Sequence, residues 1–458
     1  MTSLGPRLVI AGTHSGVGKT TVATGVMAAL RRRGLRVGAA KVGPDFIDPG
    51  YHQLATGRVS RNLDAWMSGL EVIPALAARA GDGCDVLVIE GVMGLFDGAV
   101  DGAPSSTAEI AVALDAPVVL VVDAASASTS VAAVVHGFAT FDPRVQVAGV
   151  ILNRVGSDSH EAMLRAALAP SGIPVLGALR RDPGLVWRDR HLGLVPVVER
   201  RDEIARSLAQ LAVLLDDRCD LEGLLALARR PRGRSVTDLA MPQSVAPGTR
   251  IAVAAGPAFS FSYPDNLEAL RAAGAELVEF DPCTAPRLPE ACVGLVAGGG
   301  FPEIYGGALA DNRSLLADVR TAMAGGLVVW AECGGLLWLS KMLGDHLLVG
   351  AIAARATMTD RLTLGYRHGV TRAATPLGPA GTAVRGHEFH YSTIDPAGGA
   401  LALEGRTGAS IGGFGSSTLL ASYLHLHLAA RPDLAERFVS TCAEAAVRQT
   451  ALRTPYVG

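Results

Sequence analysis

The stretch Gly12-Thr13-His14-Ser15-Gly16-Val17-Gly18-Lys19-Thr20-Thr21 decides the reading of the first half of the chain. It follows the apolar run Leu8-Val9-Ile10-Ala11 and opens a segment of helical periodicity near Val22, so it reads as strand, phosphate-binding loop and helix. Glycines let backbone N–H groups approach phosphate oxygens, a helix N-terminus favours negative charge, and a lysine reaches the terminal phosphates. Gly12, Thr13, Ser15, Gly16, Val17, Gly18, Lys19, Thr20 and Thr21 are therefore candidates to bind ATP, with the Thr20 hydroxyl placed to hold Mg2+. A glycine turn without a ligand would not require lysine, hydroxyl and helix in this order. Five residues separate Gly12 from Gly18, one more than in the commonest loop of this kind.

Downstream, Lys41-Val42-Gly43-Pro44-Asp45-Phe46-Ile47-Asp48-Pro49-Gly50-Tyr51-His52 is rich in turn formers and follows the strand-like run Val37-Gly38-Ala39-Ala40. In an open α/β sheet, ligands bind beyond the carboxyl ends of the strands. Carboxylates facing phosphates need a cation to offset the repulsion, which makes Asp45 a metal candidate and Asp48 a neighbour of the reacting group. The alternative is that both are Asx-turn residues beside prolines. Asp85-Val86-Leu87-Val88-Ile89-Glu90 reads as a buried parallel strand ending in an acid, so Glu90 joins the metal candidates at the edge that carries the phosphate loop. Asp97, in the glycine-rich run after Glu90, is either a catalytic acid or a turn cap. Pro117–Asp123 and Val147–Asn153 are further strands, and Asn153 is a candidate to read an adenine edge, or simply a strand-ending residue. Ser105-Ser106-Thr107 would cap a helix from Ala108 to Leu114. Ile173–Gly177 and Gly193–Pro196 read as late strands of the same sheet. Arg181, Arg188, Arg190 and His191 lie between them, as a site for a carboxylate-rich substrate or as solvated surface charge.

A length of 458 residues predicts two or three domains. The 41 basic and 43 acidic residues give a net charge of -2, which leaves no electrostatic footprint for nucleic acid or an anionic membrane. No apolar run reaches bilayer-spanning length and the first strand leads straight into the phosphate loop, so a cytoplasmic protein is expected. The six cysteines are too sparse for a disulfide framework and lack metal-type spacing. A homodimer is held open as the oligomeric state, with no residue assigned to its interface.

Residues 229–249 carry Arg-Arg-Pro-Arg-Gly-Arg-Ser and little apolar periodicity, and read as a linker between a P-loop parallel-sheet domain over 1–228 and a second α/β domain over 250–458. In the second half, Gly326-Leu327-Val328-Val329-Trp330-Ala331-Glu332-Cys333-Gly334-Gly335 places Cys333 at a strand-to-helix elbow. Such an elbow exposes a nucleophile and aims backbone N–H groups at it. Gly334 and an amide at Gly299 or Gly300 are the candidate oxyanion donors. The base would come from Ser422-Tyr423-Leu424-His425-Leu426-His427, whose i, i+2 histidines share one face if the run is a strand. His425 is the first choice and His427 the second; a metal pair lacks an obvious third ligand. The polar run Arg385-Gly386-His387-Glu388-Phe389-His390-Tyr391-Ser392 reads equally as ligand contact, interface or orienting acid.

Taken together, the phosphate loop, Lys41–Pro49, Glu90–Gly98, Ala331–Gly335 and Tyr423–His427 resemble cobyrinic or hydrogenobyrinic acid a,c-diamide synthases over essentially the whole chain. The resemblance implies a dethiobiotin synthetase-like ATPase domain, whose longer loop matches the spacing here, followed by a class I glutamine amidotransferase domain. It implies ATP and Mg2+ as cofactors, glutamine as nitrogen donor and a corrinoid as substrate. Ammonia would pass shielded between the sites, through the interdomain interface. The class I His-x-Glu pairing is absent, because the residue two after His425 is His427. Amidation of another corrinoid or polycarboxylate on the same scaffold is one alternative; partitioning-type ATPases, the other, carry a lysine where this chain has His14.

Overall fold

Seven parallel strands form the sheet that carries the phosphate loop: β1 (Arg7–Gly12), β2 (Val37–Val42), β3 (Arg61–Leu63), β4 (Val86–Glu90), β5 (Val118–Asp123), β6 (Val147–Val155) and β7 (Val175–Arg180). Their order is β3-β2-β4-β1-β5-β6-β7, every neighbouring pair parallel. The continuous apolar runs read from the sequence follow from this arrangement, since β1, β2 and β4 are buried at every position. β1 lies between strands that come later on either side, so its carboxyl end opens at a switch in strand order. The computed structural model describes residues 2–99, 102–181, 189–190, 193–231, 233–406 and 408–453, and the chain divides into two units between Leu239 and Ala240.

The loop after β1 leads into α1 (Lys19–Arg32), with Gly18 in the left-handed region at φ 95° as its N-cap. α2 (Asp48–Thr56) starts at an expected site residue. α3 (Thr107–Leu114) begins on a full capping box, in which Ser106 and Glu109 satisfy each other's backbone N–H groups. Two expectations change. Arg234–Val236, inside the expected linker, pairs antiparallel with Thr2–Leu4 in a two-stranded sheet of its own, so the first unit runs past residue 228. Gly193–Leu194 pairs with Asp189–Arg190 in a separate two-stranded ladder and is no strand of the main sheet. Arg188 and His191 lie outside the described residues, and Arg181 is exposed. Among the described residues no helix is long and apolar enough to cross a membrane.

The second unit has its own parallel sheet of β8 (Thr249–Ala254), β9 (Ala275–Phe280), β10 (Gly294–Ala297), β11 (Val328–Glu332), β12 (Phe414–Ser416) and β13 (Leu419–Ser422), ordered β9-β8-β10-β11-β13-β12. Only the edge pair β12 and β13 is antiparallel. Alternation along β8 sends Ala252 and Ala254 to the face that packs Trp338, and Ile251 and Val253 to the face covered by Phe438 of the C-terminal helix. Each fully buried side chain of Leu or Val size contributes about 1.5–3 kcal/mol to holding these layers. A second, mostly antiparallel sheet is built on the long strands Ile352–Thr371 and Ala383–Asp395. The two-residue strand His425–Leu426 joins it, with His425 directly opposite His387.

Candidate active sites

At the carboxyl ends of β1, β2 and β4, side chains from the phosphate loop and its neighbours converge. The Thr20 hydroxyl donates to Glu90 Oε1 at 2.7 Å and to Asp48 Oδ2 at 3.4 Å. Lys41 Nζ lies 2.7 Å from Asp48 Oδ2 and 2.9 Å from Glu90 Oε1, and donates to the Gly91 carbonyl. On its other oxygen Glu90 meets His52 Nε2 at 2.6 Å, and His52 Nδ1 is 3.2 Å from Ser60 Oγ. Burial alone would push Glu90 up and Lys41 down, yet their mutual attraction, with Asp48 and His52, holds Glu90 well below the usual carboxylate range and Lys41 well above its ordinary value. Asp48 is driven the other way, upward, by burial and by the charges of Asp45 and Glu90. Lys19 Nζ donates to the His14 carbonyl at 3.1 Å, and burial followed by repulsion from Lys41 lowers it to about 8. Approaching phosphate oxygens raise such a lysine again, so that above about pH 8 it takes up a proton.

The donor set at Thr20, Asp48 and Glu90 is all oxygen, which suits a hard divalent cation accompanying a nucleotide. Asp45 makes an Asx turn at the head of α2, its Oδ1 accepting from the Ile47 amide at 2.8 Å, and its carboxyl also shares a hydrogen bond with the Asp48 side chain. Asp97 likewise caps a turn, accepting from the Gly94 amide at 2.7 Å, while remaining close enough to Lys19 to raise its pKa. Asn153 reaches from β6 to the phosphate loop, and its Oδ1 accepts from the Arg154 amide at 2.9 Å. Its Nδ2 donates to the Val17 carbonyl at 2.8 Å and lies 2.3 Å from where a Cβ on Gly18 would stand, so it braces the phosphate loop from β6. Beside it Arg154, at φ 60°, donates to the Gly16 carbonyl and pairs with Asp123.

In the second unit, β11 ends at Glu332 and the chain turns at Cys333, whose φ of 46° and ψ of -99° are those of a strained elbow. The Cys333 amide is tied to the Ser422 carbonyl at 2.7 Å, which fixes the elbow against β13. Gly334 and Gly335 follow because side chains would collide: a Cβ on Gly335 would stand 2.1 Å from the Ala297 carbonyl oxygen, and one on Gly334 3.1 Å from the Gly300 nitrogen. His425 makes a side-chain hydrogen bond with Cys333, its Nδ1 is 3.6 Å from Glu332 Oε2, and its ring stacks on His387 at 5.0 Å between centroids. Burial disfavours the charged imidazole, but Cys333 and Glu332 outweigh it and raise His425 to about 9. His387 is pushed well below its ordinary value by burial and by the His425 charge.

His427 is turned elsewhere. The strand stops at Leu426, so the i, i+2 alternation fails, and His427 begins a short 3-10 turn with Nε2 3.9 Å from Asp265 and its ring against Tyr263. Gly299 N–H is committed to the Phe261 carbonyl at 3.0 Å, which removes it as an oxyanion donor and leaves the amides of Gly300 and Gly334. The run Arg385–Ser392 brings His387, Glu388 and His390 around His425. Sequence reasoning passed over Lys41, His52 and Glu332 as site residues. His52 lies four residues after Asp48 on α2, a spacing that shares a helix face, and Glu332 repeats the apolar strand ending in an acid that singled out Glu90.

A phosphate-binding loop in one unit and an elbow cysteine with a histidine in the other define a glutamine-dependent, amide-forming ligase. A family model described as the CobQ/CobB/MinD/ParA nucleotide binding domain matches residues 8–194, and one described as the CobB/CobQ-like glutamine amidotransferase domain matches residues 250–433. The hydrogenobyrinate a,c-diamide synthase of Streptomyces coelicolor is 48% identical, covering 95% of this chain and 97% of the relative. That of Thermobifida fusca is 44% identical over 95% of this chain and 96% of its own, and the cobyrinate a,c-diamide synthase of a Synechococcus strain 42% over 96% and 98%. The chain belongs to the family of hydrogenobyrinate and cobyrinate a,c-diamide synthases.

Proposed function

We propose that this enzyme converts the a- and c-acetate carboxylates of hydrogenobyrinate to amides in cobalamin biosynthesis, using ATP and glutamine. The metal-free corrinoid is preferred over cobyrinate because identity to the hydrogenobyrinate synthases, up to 48%, exceeds the 42% to the Synechococcus cobyrinate synthase. The observation that carries the reading is the elbow at Cys333 beside His425, in a chain whose other unit gathers Lys19, Thr20, Asp48 and Glu90 around a phosphate loop.

Cys333 attacks the side-chain amide carbon of glutamine as thiolate. The amides of Gly300 and Gly334 receive the developing oxyanion, and His425 gives a proton to the departing nitrogen. Ammonia leaves, and water cleaves the thioester to glutamate. In the first unit the loop amides and Lys19 hold the ATP phosphates, and the substrate carboxylate attacks the γ-phosphorus to give acyl phosphate and ADP. Ammonia then adds to the acyl carbon and phosphate departs. Thr20, Asp48 and Glu90 would hold Mg2+, which offsets phosphate charge when bound. Asp97, beside Lys19, stays near the transferring group. The reading puts the enzyme in the cytoplasm, where ATP and glutamine are available, and needs no nucleic acid or membrane.

Cys333→Ala is expected to abolish glutamine-dependent amidation while keeping activity with ammonium salts. Product mass after incubation with hydrogenobyrinic or cobyrinic acid reads both substrate and extent. Loss with both nitrogen sources in a folded variant, or no mass gain on either corrinoid, would refute it.

A further inference from the structure

The carboxylates around the elbow differ in what they are bound to. Glu388 is held by Arg367, Nε to Oε2 at 2.9 Å, and Asp265 lies beside His427 at 3.9 Å. Glu332 is buried, and among the described residues its one ion-pair partner is His425, Oε2 to Nδ1 at 3.6 Å. Its other oxygen, Oε1, accepts the Leu426 amide at 3.0 Å, which pins the carboxylate to the backbone directly after His425. One residue thus touches both the ring and the peptide that carries it.

We propose that Glu332, the residue immediately before the nucleophile, is the positioning acid of the glutaminase, in a chain that carries His427 and not a carboxylate two residues after His425. It holds the His425 ring with Nδ1 toward the acid, leaving Nε2 to serve the Cys333 sulfur, and it stabilises the imidazolium that accompanies the thiolate. The other groups facing His425 do not supply this charge. His387, stacked on the ring, is held neutral by burial; His390 is lowered to about 4, by burial first; Glu388 is engaged with Arg367; and the Tyr423 hydroxyl accepts from Ser392. The elevation of His425 to about 9 has the Cys333 and Glu332 side chains as its causes against burial. Acid, nucleophile and oxyanion donor are then three consecutive residues, Glu332, Cys333 and Gly334.

This inference rests on the Cys333–His425 reading, and the two fail differently: a full-length wild-type enzyme that releases no glutamate from glutamine sinks that reading, whereas the tests below presuppose its activity. Glu332→Gln keeps an oxygen for the Leu426 amide and removes the charge. The expected result is a drop of about a hundredfold or more in glutaminase kcat, with KM for glutamine changed less than about threefold. The basic limb of the pH profile should move to lower pH, because the imidazolium loses its counter-charge, and Glu332→Asp should recover part of the rate. In a His425→Asn background, Glu332→Gln should change the residual rate by less than about twofold, since the acid acts only through that ring. An unmoved basic limb with near-normal kcat overturns the proposal. So does an equal loss in both backgrounds, which would mark Glu332 as a support of the fold alone.

Discussion

Gly299→Ala isolates the geometry of the histidine from its chemistry. Gly299 does not have a positive φ, so its backbone accepts alanine without strain. The new Cβ would stand 2.5 Å from His425 Cε1 and 3.4 Å from Nε2. Carbon atoms in contact sit about 3.5 Å apart, so the ring must retreat by about 1 Å. Retreat is opposed by His387, stacked at 5.0 Å, and by Glu332 at the far nitrogen. A misplacement of about 1 Å costs roughly a hundredfold in rate, or about 2.7 kcal/mol of barrier, and overpacking costs about 1–3 kcal/mol of stability. Glutamate release from glutamine should therefore fall about a hundredfold, while corrinoid amidation with ammonium chloride stays within about twofold of wild type. Urea denaturation checks that the variant is folded. Glutaminase turnover within threefold of wild type would show that the ring has room to move and refute the reasoning.

Glu90→Gln removes the buried anion shared by Thr20, Lys41 and His52, and leaving those groups uncompensated should destabilise the first unit by about 3–5 kcal/mol in urea titrations. Amidation should be lost with glutamine and ammonia alike, in contrast to Cys333→Ala. Lys19 has a folded pKa of about 8, below the ordinary 10.5, so between these values the unfolded chain binds more protons and this lysine's contribution to stability rises with pH. ATP binding near pH 9 should accordingly take up a proton at Lys19, seen by calorimetry in buffers of different ionisation enthalpy. The uptake should vanish near pH 7, where the lysine is already charged, and an ATP binding heat independent of buffer at both pH values would contradict it.

The parts of the molecule legible in the sequence are those fixed by short-range pattern. The phosphate loop, the apolar strands with their terminal acids, the Ser106 cap and the glycine-flanked Cys333 each carry their reason within about ten residues. What escaped depends on register between distant strands. Asn153 is 136 residues from the Val17 carbonyl it braces, and nothing local announces that bond. Leu426 ending its strand decides that His425 and His427 part company, and strand ends are set by the partner, here Gly386 and His387. Gly299 reads as an oxyanion candidate from its glycine turn, but its N–H is taken by Phe261 in a bridge that the sequence does not announce. Lys41 closes an ion pair only because β2 and β4 align it with Glu90.

The brace from Asn153 to the phosphate loop and the run Glu332-Cys333-Gly334 differ in how errors spread. In the first unit, the nucleotide loop takes its shape from a strand far along the chain, so core substitutions near β6 can detune it without touching a ligand. In the second, three working groups share one backbone segment and travel together when the surrounding core shifts. Both sites nevertheless lean on distant partners, the loop on Asn153 and the elbow on Ser422 and His425, so a core shift that keeps acid, nucleophile and donor together can still part them from their base.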